Sequence, residues 1–152
     1  MNMNALVVYW SKFGNTEQIA RAIASALPAG SVRVISMDQL TAAELAGPDL
    51  VVMGCPTHRM NLPEAVRPLF ETLPKRILRD KAVAAYDTSY KMSPVLARLS
   101  AAKKLSRKLR KLRGRQVVPP ETFYVVDREG PLYDGELERA RDWAESILEQ
   151  IK

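Results

Sequence analysis

Short, continuously apolar segments alternate along the chain with segments whose apolar residues recur at helical spacing. The short segments are rich in β-branched and aromatic residues, which favours strands. They are residues 6–9, 32–37, 50–53, 82–86 and a last pair, 117–118 and 123–126. Strands without polar alternation are typical of a parallel sheet covered on both faces, so the pattern predicts an α/β fold.

The segments between the strands carry the apolar stripes of helices. After the first strand, Ile19, Ile23 and Leu27 recur every four residues. Pro63 and Pro94 suit the first turns of two later helices. The further helical stripes are expected at 42–46, 63–73, 93–112 and 137–151.

The last strand is interrupted by Pro119 and Pro120. Because proline cannot donate a ladder hydrogen bond, we expect a bulge or an edge position there.

The loops after strands one, three and four carry the candidate site, because ligands of such sheets bind beyond the carboxyl ends of the strands. The first loop opens directly into a helix, where backbone N–H groups and the positive end of the helix dipole converge. Its residues are Ser11, Lys12, Phe13, Gly14, Asn15 and Thr16. Hydroxyl donors, a flexible glycine and an asparagine that tolerates left-handed geometry suit a phosphate. A simple helix cap without a ligand is the alternative, and the Walker pattern of nucleoside triphosphatases is missing from the sequence.

The start of the chain resembles the amino-terminal signature of the flavodoxin family. The matching residues are Val7, Val8, Tyr9, Trp10, Ser11, Gly14, Thr16, Ala20 and Ile23. The resemblance implies a three-layer sandwich whose five-stranded parallel sheet has the order 2-1-3-4-5, with helices on both faces. It also implies FMN as the cofactor, held by its phosphate and its isoalloxazine ring for redox work. Many flavodoxins carry a hydroxyl residue where this chain has Phe13, which leaves the phosphate only a backbone amide at that position.

The loop after the third strand is similar to the flavin-contacting loop of flavodoxins. It is more closely similar to that of the tryptophan-repressor-binding-protein-like quinone oxidoreductases. The resemblance implies flavin contacts for Pro56, Thr57, His58, Arg59, Met60 and Asn61. Backbone groups of 57–61 would meet the pyrimidine side and N5 edge of the ring, with a side chain from 58–60 packed beside it. A surface loop without a ligand is the alternative.

The segment after the fourth strand supplies the remaining candidates, which are Asp87, Thr88, Ser89 and Tyr90. Family members offer amides to the flavin carbonyls here and often an aromatic ring to its outer face, so the resemblance makes Tyr90 the candidate stacking residue. A free-standing surface tyrosine is the alternative. We expect Trp10 to pack in the core rather than to contact the flavin ring, and we expect Cys55 to be an inert buried thiol. His58 either donates a proton to reduced flavin or simply faces solvent.

The composition limits the class of protein. The 152 residues, 47% hydrophobic and 26% charged, suit one globular domain spanning 1–152. The first apolar run is too short for a membrane span and lacks the preceding basic region of a signal peptide, so we expect a cytoplasmic protein. One cysteine and one histidine cannot form an internal disulfide or a tetrahedral zinc site.

The net charge of +6 comes from one segment of the chain. Eight basic residues lie within 103–115 with no acid among them, whereas the rest of the chain has 15 basic and 17 acidic residues. Because the leucines of this segment keep helical spacing, its cations should form the solvated face of a core-packed helix. The simplest function for this basic face is contact with an acidic redox partner. Binding to nucleic acid or to an anionic membrane surface is the alternative.

Two redox roles follow from the resemblance: an electron carrier, or a small NAD(P)H-dependent oxidoreductase acting on quinones or other substrates. A chain of 152 residues has no room for a second, nicotinamide-binding domain, so electrons must come from a separate partner or from a transiently docked nicotinamide. The long oligomer-forming insertion of the quinone reductases is missing, which favours the carrier. Lys12, His58, Arg59 and Lys91 are expected to surround the cofactor and to raise its potential by stabilising anionic reduced flavin.

Overall fold

The computed structural model describes residues 3–28, 30–57, 61–91 and 93–151. Its strands and helices follow the chain in the order β1 (Ala5–Tyr9), α1 (Asn15–Ser25), β2 (Val32–Ser36), β3 (Leu50–Pro56), α2 (Arg67–Thr72), β4 (Ala82–Ser89), α3 (Pro94–Ala97), α4 (Ala101–Lys111), β5 (Arg115–Gln116), β6 (Glu121–Tyr124) and α5 (Glu136–Ile151). Two short 3₁₀ helices, Met37–Gln39 and Ala42–Leu45, connect β2 to β3. Within the described ranges, no helix combines the length and the apolar character that a membrane crossing requires.

The strands pair in parallel in the order β2-β1-β3-β4-β5, which confirms the predicted order. β5 pairs with Ala82 and Val83 near the start of β4, and β6 pairs with residues 86–89 near its end. β5 and β6 are therefore two parts of one edge strand. Between them, residues 117–120 lie opposite only Ala84 and Ala85, so the proline pair sits in a bulge at the edge, as predicted.

Helices cover both faces of the sheet. α2 and α4 pack on one face, where Phe70, Leu105 and Leu109 join a buried cluster with Met53 and Val83 of the strands. α1 and α5 pack on the other face. The cluster there includes Val7, Val52, Ile19, Ile23, Ala144 and Ile147. The continuous apolar strands are thus buried on both sides, and the predicted three-layer sandwich is confirmed.

Two helices differ from the sequence prediction. The expected continuous helix 93–112 is interrupted after Ala97, and a new helix, α4, starts at Ala101. Ser100 caps α4, since its hydroxyl oxygen accepts a hydrogen bond from the Lys103 N–H at 3.4 Å. Leu99, which falls within the apolar stripe predicted over 93–112, is 46% exposed because it lies in this interruption. The helix after β3 begins at Arg67 rather than at Pro63.

The strands that lead to the candidate site are longer than predicted. β4 continues to Ser89, because Asp87 and Thr88 pair with β3 on one side and residues 87–89 pair with β6 on the other. The segment expected to be a loop from Asp87 onward therefore begins only at Tyr90. β3 likewise continues to Pro56, which pairs with Thr88.

Candidate functional site

Helix α1 begins at a glycine that cannot cap it with a side chain. Gly14 is the N-cap residue and has φ 92° and ψ −8°, a left-handed conformation that residues other than glycine rarely adopt. A Cβ added at Gly14 would meet no atom within 4 Å, so the position requires glycine for its backbone angle and not for space. The N–H groups of the first turn of α1 are left for an anion.

Two hydroxyl groups frame this loop. The Ser11 Oγ accepts a hydrogen bond from the Gly14 N–H at 3.0 Å, so its own hydrogen is available for donation to a ligand. The Thr16 Oγ1 lies 2.8 Å from the Thr88 Oγ1, and both residues are buried. The Tyr86 hydroxyl donates to the Thr16 carbonyl at 3.0 Å. The loop 11–16 is therefore tied to the carboxyl end of β4.

Asn15 ties the same loop to the turn that follows β6. Its side-chain nitrogen donates to the Glu129 carbonyl oxygen at 3.1 Å. Gly130 has φ 105°, and a Cβ added there would lie 2.6 Å from the Asn15 Oδ1. This close contact brings Arg128, two residues earlier, to the candidate site.

A cavity of about 270 Å³ lies at the carboxyl ends of β1, β3 and β4, and we term it the strand-end cavity. It is lined by Trp10, Ser11, Lys12, Phe13, Asn15, Thr16, Pro56, Thr57, Thr88, Ser89, Tyr90, Val125 and Arg128. Ten of these are among the sequence-predicted site residues. The loop after strand one, the end of β3 and the end of β4 thus meet at one place.

The remaining predicted residues lie elsewhere or are not described. Gly14 contributes its backbone at the start of α1. Asn61 and Asp87 do not line the strand-end cavity. His58, Arg59 and Met60 lie outside the described residues, so their flavin contacts stay predictions.

Three lining residues were missed by sequence reasoning in different ways. Trp10 is half-buried and packs against the core cluster under α2 and α4, as expected, but it also lines the cavity. Val125 and Arg128 come from the far end of the chain and belong to no motif. The pairing of β6 with β4 brings them to this edge of the sheet. The sequence alone does not show which residues of the two strands pair.

Thr57 joins the strand-end cavity to helix α4. Its N–H donates to the Thr88 carbonyl at 3.0 Å. Its hydroxyl donates to the carboxylate of Asp87 and accepts a hydrogen bond from the Ala101 N–H at 2.9 Å. The position of Thr57 is therefore fixed both by β4 and by the first residue of α4.

Asp87 is a fully buried carboxyl group beneath the start of α4. Burial raises its pKa, although hydrogen bonding by the hydroxyls of Thr122 and Thr57 and by the N–H groups at the start of α4 limits the rise. Its Oδ1 atom makes no hydrogen bond of good geometry to a described residue. Asp87 therefore supports Thr57 from behind rather than lining the cavity.

Cys55 lies next to Asp87 in the pairing of β3 with β4 and is fully buried. Burial, and to a smaller extent the Asp87 charge, raises the pKa of this thiol well above its usual range. Because the thiolate is the reactive form, the Cys55 side chain is an unreactive core group.

Tyr90 and Lys91 follow directly after β4. Tyr90 lines the strand-end cavity and is 47% exposed, which leaves its ring free to cover a bound group. The Lys91 ammonium lies 4.6 Å from the ring centre of Tyr133 and 5.9 Å from that of Tyr124. Lys91 is therefore held by aromatic rings and does not line the cavity, although it was expected beside the cofactor.

The strand-end cavity suits an anionic group attached to a flat ring. Its described lining contains two cations, Lys12 and Arg128, and no carboxylate. The uncapped start of α1 supplies N–H donors, and the lining also contains the aromatic side chains of Trp10 and Tyr90.

Comparisons with known proteins agree with this geometry. A family model described as Flavodoxin matches residues 7–143. The fold is similar to that of a flavodoxin from the domain Archaea, with a TM-score of 0.79, 20% sequence identity and coverage of 98% of this chain and 99% of that one. Oxidised Flavodoxin 2 from Bacillus cereus gives a TM-score of 0.79 at 22% identity, with 97% and 99% of the two chains covered. A flavodoxin, WrbA-like protein from Agrobacterium tumefaciens gives 0.71 at 20% identity, with 99% and 98% covered.

Proposed function

Since this chain belongs to the flavodoxin family, we propose that it carries electrons between partner proteins on an FMN held in the strand-end cavity. FMN is the cofactor of this family. The observation that supports its placement best is the start of α1, where a left-handed glycine leaves the first-turn N–H groups without a side-chain cap. A terminal phosphate ester is the anion that such a start accommodates.

The residues of the cavity divide into two groups under this proposal. Ser11, Thr16 and the backbone N–H groups of 12, 13, 15 and 16 bind the phosphate, and Lys12 adds a compensating charge. Thr57, Tyr90 and Trp10 position the ring and exclude water from its faces. When bound, FMN supplies the electron-accepting and electron-donating chemistry.

The charge of the lining determines whether the protein raises or lowers the redox potential of its cofactor. Lys12 and Arg128 line the cavity, and the described lining has no acidic side chain to oppose them. Positive charge favours the more negative form of a bound group, so these cations stabilise reduced FMN and raise its potential.

An exposed apolar rim favours a second function, reduction of a flat substrate such as a quinone. Phe13 and Tyr90 line the cavity and are each more than a third exposed. Such a rim would admit a planar molecule to the ring face. The carrier remains the first proposal, and the cytoplasmic location and the single-domain organisation stay predictions.

Anaerobic mixing of the FMN-loaded protein with NADH or NADPH tests the proposed function. A carrier keeps its visible absorption with either nicotinamide alone and loses it on photoreduction. Bleaching by NADH or NADPH alone, followed by rapid recovery on addition of benzoquinone, would replace the carrier with the quinone reductase.

A further inference from the structure

A second concave surface lies between α2 and α4 on the face of the sheet that these two helices cover. We term it the basic groove. It has a volume of about 400 Å³ and is lined by Asn61, Leu62, Arg67, Glu71, Lys104, Arg107, Lys108 and Lys111. Five of the eight lining side chains are basic and one is acidic.

Helix α4 supplies four of these cations from one of its sides. Residues 104, 107, 108 and 111 are spaced by three and four positions, so they share a helical face about 10 Å long. The apolar face of α4 packs against the core, where Leu105 and Leu109 are completely buried. The structure of the helix thus fixes the groove cations at the surface.

Helix α4, which lines the basic groove, is also hydrogen bonded to a residue of the strand-end cavity. Thr57 lines the cavity, while Asn61 and Leu62, a few residues later, line the groove. The hydroxyl of Thr57 also accepts the N–H of Ala101, the first residue of α4. Helix α4 therefore connects the two sites.

We propose that the basic groove receives an acidic surface segment of the protein that exchanges electrons with the bound FMN. This inference rests on the proposed function. Charge complementarity supports it, because five cations around a concave surface attract carboxylates and orient the approaching partner. The hydrogen bond between Thr57 and the start of α4 joins the cavity to the helix that supplies four of the groove cations, so a partner bound in the groove lies on an element that is attached to the cavity.

Other anionic occupants fit the described groove less well. Insertion into a membrane surface requires an exposed apolar helix face, but the apolar face of α4 is buried. Single-stranded nucleic acid is usually held by aromatic platforms, and the described lining has no aromatic side chain.

Equilibrium binding of a fluorescein-labelled oligoglutamate peptide of about a dozen residues tests the proposal by fluorescence anisotropy. The groove variant is Arg107→Gln with Lys111→Gln. The matched control is Lys103→Gln with Arg110→Gln, which removes the same two charges from exposed positions of α4 that do not line the groove. The groove variant should weaken peptide binding about tenfold, and the control by less than about threefold. The salt dependence of binding should be lower in the groove variant than in the control.

FMN binding is measured in the same preparations, so that the two proposals fail separately. All variants should bind FMN like the unmodified protein, since none of the four residues lines the strand-end cavity. Failure of every preparation to bind FMN would refute the proposed function. Normal FMN binding with equal peptide affinity in the groove and control variants would refute the basic groove alone. Tighter binding of duplex DNA or of phosphatidylserine vesicles than of oligoglutamate, lost only in the groove variant, would also overturn the assignment to an acidic protein segment.

Discussion

The hydroxyl oxygens of Thr16 and Thr88 lie 2.8 Å apart, which joins the first turn of α1 to the end of β4. The two residues are 72 positions apart in sequence and were predicted in separate loops. Their contact, together with the hydrogen bond from Tyr86 to the Thr16 carbonyl, fixes the loop 11–16 to the centre of the sheet. These hydrogen bonds therefore hold two walls of the strand-end cavity together.

Replacement of Thr16 by valine should destabilise the protein by about 1–2 kcal/mol, because the buried Thr88 hydroxyl loses its partner. Thr16→Ser keeps the hydroxyl and should retain most of the stability. Urea unfolding of Thr16→Val, Thr88→Val and the double variant measures the coupling between the two residues. Strictly additive effects would show that the hydroxyl pair contributes nothing.

Substitution of Gly14 by alanine should weaken FMN binding about tenfold and cost about 1–2 kcal/mol of stability. The physical reason is the left-handed backbone at φ 92°, which disfavours any side chain. Gly47→Ala is the matched control, since Gly47 has an ordinary φ and open space around its Cβ position. FMN titrations followed by fluorescence, with urea unfolding of both variants, test this prediction. Equal losses in the two variants would contradict it.

The buried carboxyl of Asp87 should make stability depend on pH. Because burial raises its pKa, the folded state holds the proton more tightly than the unfolded state does. Stability contributed by the protonated group is complete below the ordinary value of 3.8 and is lost as the pH rises through the raised pKa. Asp87→Asn lacks this group, so its stability relative to the unmodified protein should increase with pH across that window. Urea unfolding at a series of pH values checks this, and parallel curves for the two proteins would exclude it.

The cations of the strand-end cavity should raise the potential of the bound cofactor. Replacing Lys12 and Arg128 by glutamine should lower the two-electron midpoint potential by about 30 mV. Lys103→Gln with Arg110→Gln removes the same charge from α4 and should leave the potential nearly unchanged. A spectroelectrochemical titration compares the three proteins. An unchanged potential in the cavity variant would mean that solvent screens these charges completely.

Much of the architecture follows from local patterns in the sequence. The continuous apolar strands predicted a sheet buried on both faces, and Pro119 and Pro120 predicted the bulge at its edge. The loop 11–16 was recognisable because its residue types suit a helix start, which is a local property. The break between α3 and α4 was missed, because the apolar spacing continues across it while Ser100 starts a new helix.

Features that depend on long-range contacts were not predictable in the same way. Asp87 follows an apolar strand and was expected in a loop, but pairing on both sides keeps it in β4 and buries its carboxyl. Arg128 lines the cavity because β6 pairs with β4 and Asn15 contacts the turn at Gly130. No local sequence signal marks either residue, since the neighbours that decide their positions come from other strands.

The affinity of the protein for FMN compared with riboflavin tests the central claim most directly. The two molecules share the ring and the ribityl chain and differ only in the phosphate that the start of α1 is proposed to hold. We predict saturable one-to-one binding of FMN that is about a hundredfold tighter than binding of riboflavin. Equal affinity for FMN and riboflavin, or no saturable binding of FMN, would contradict it.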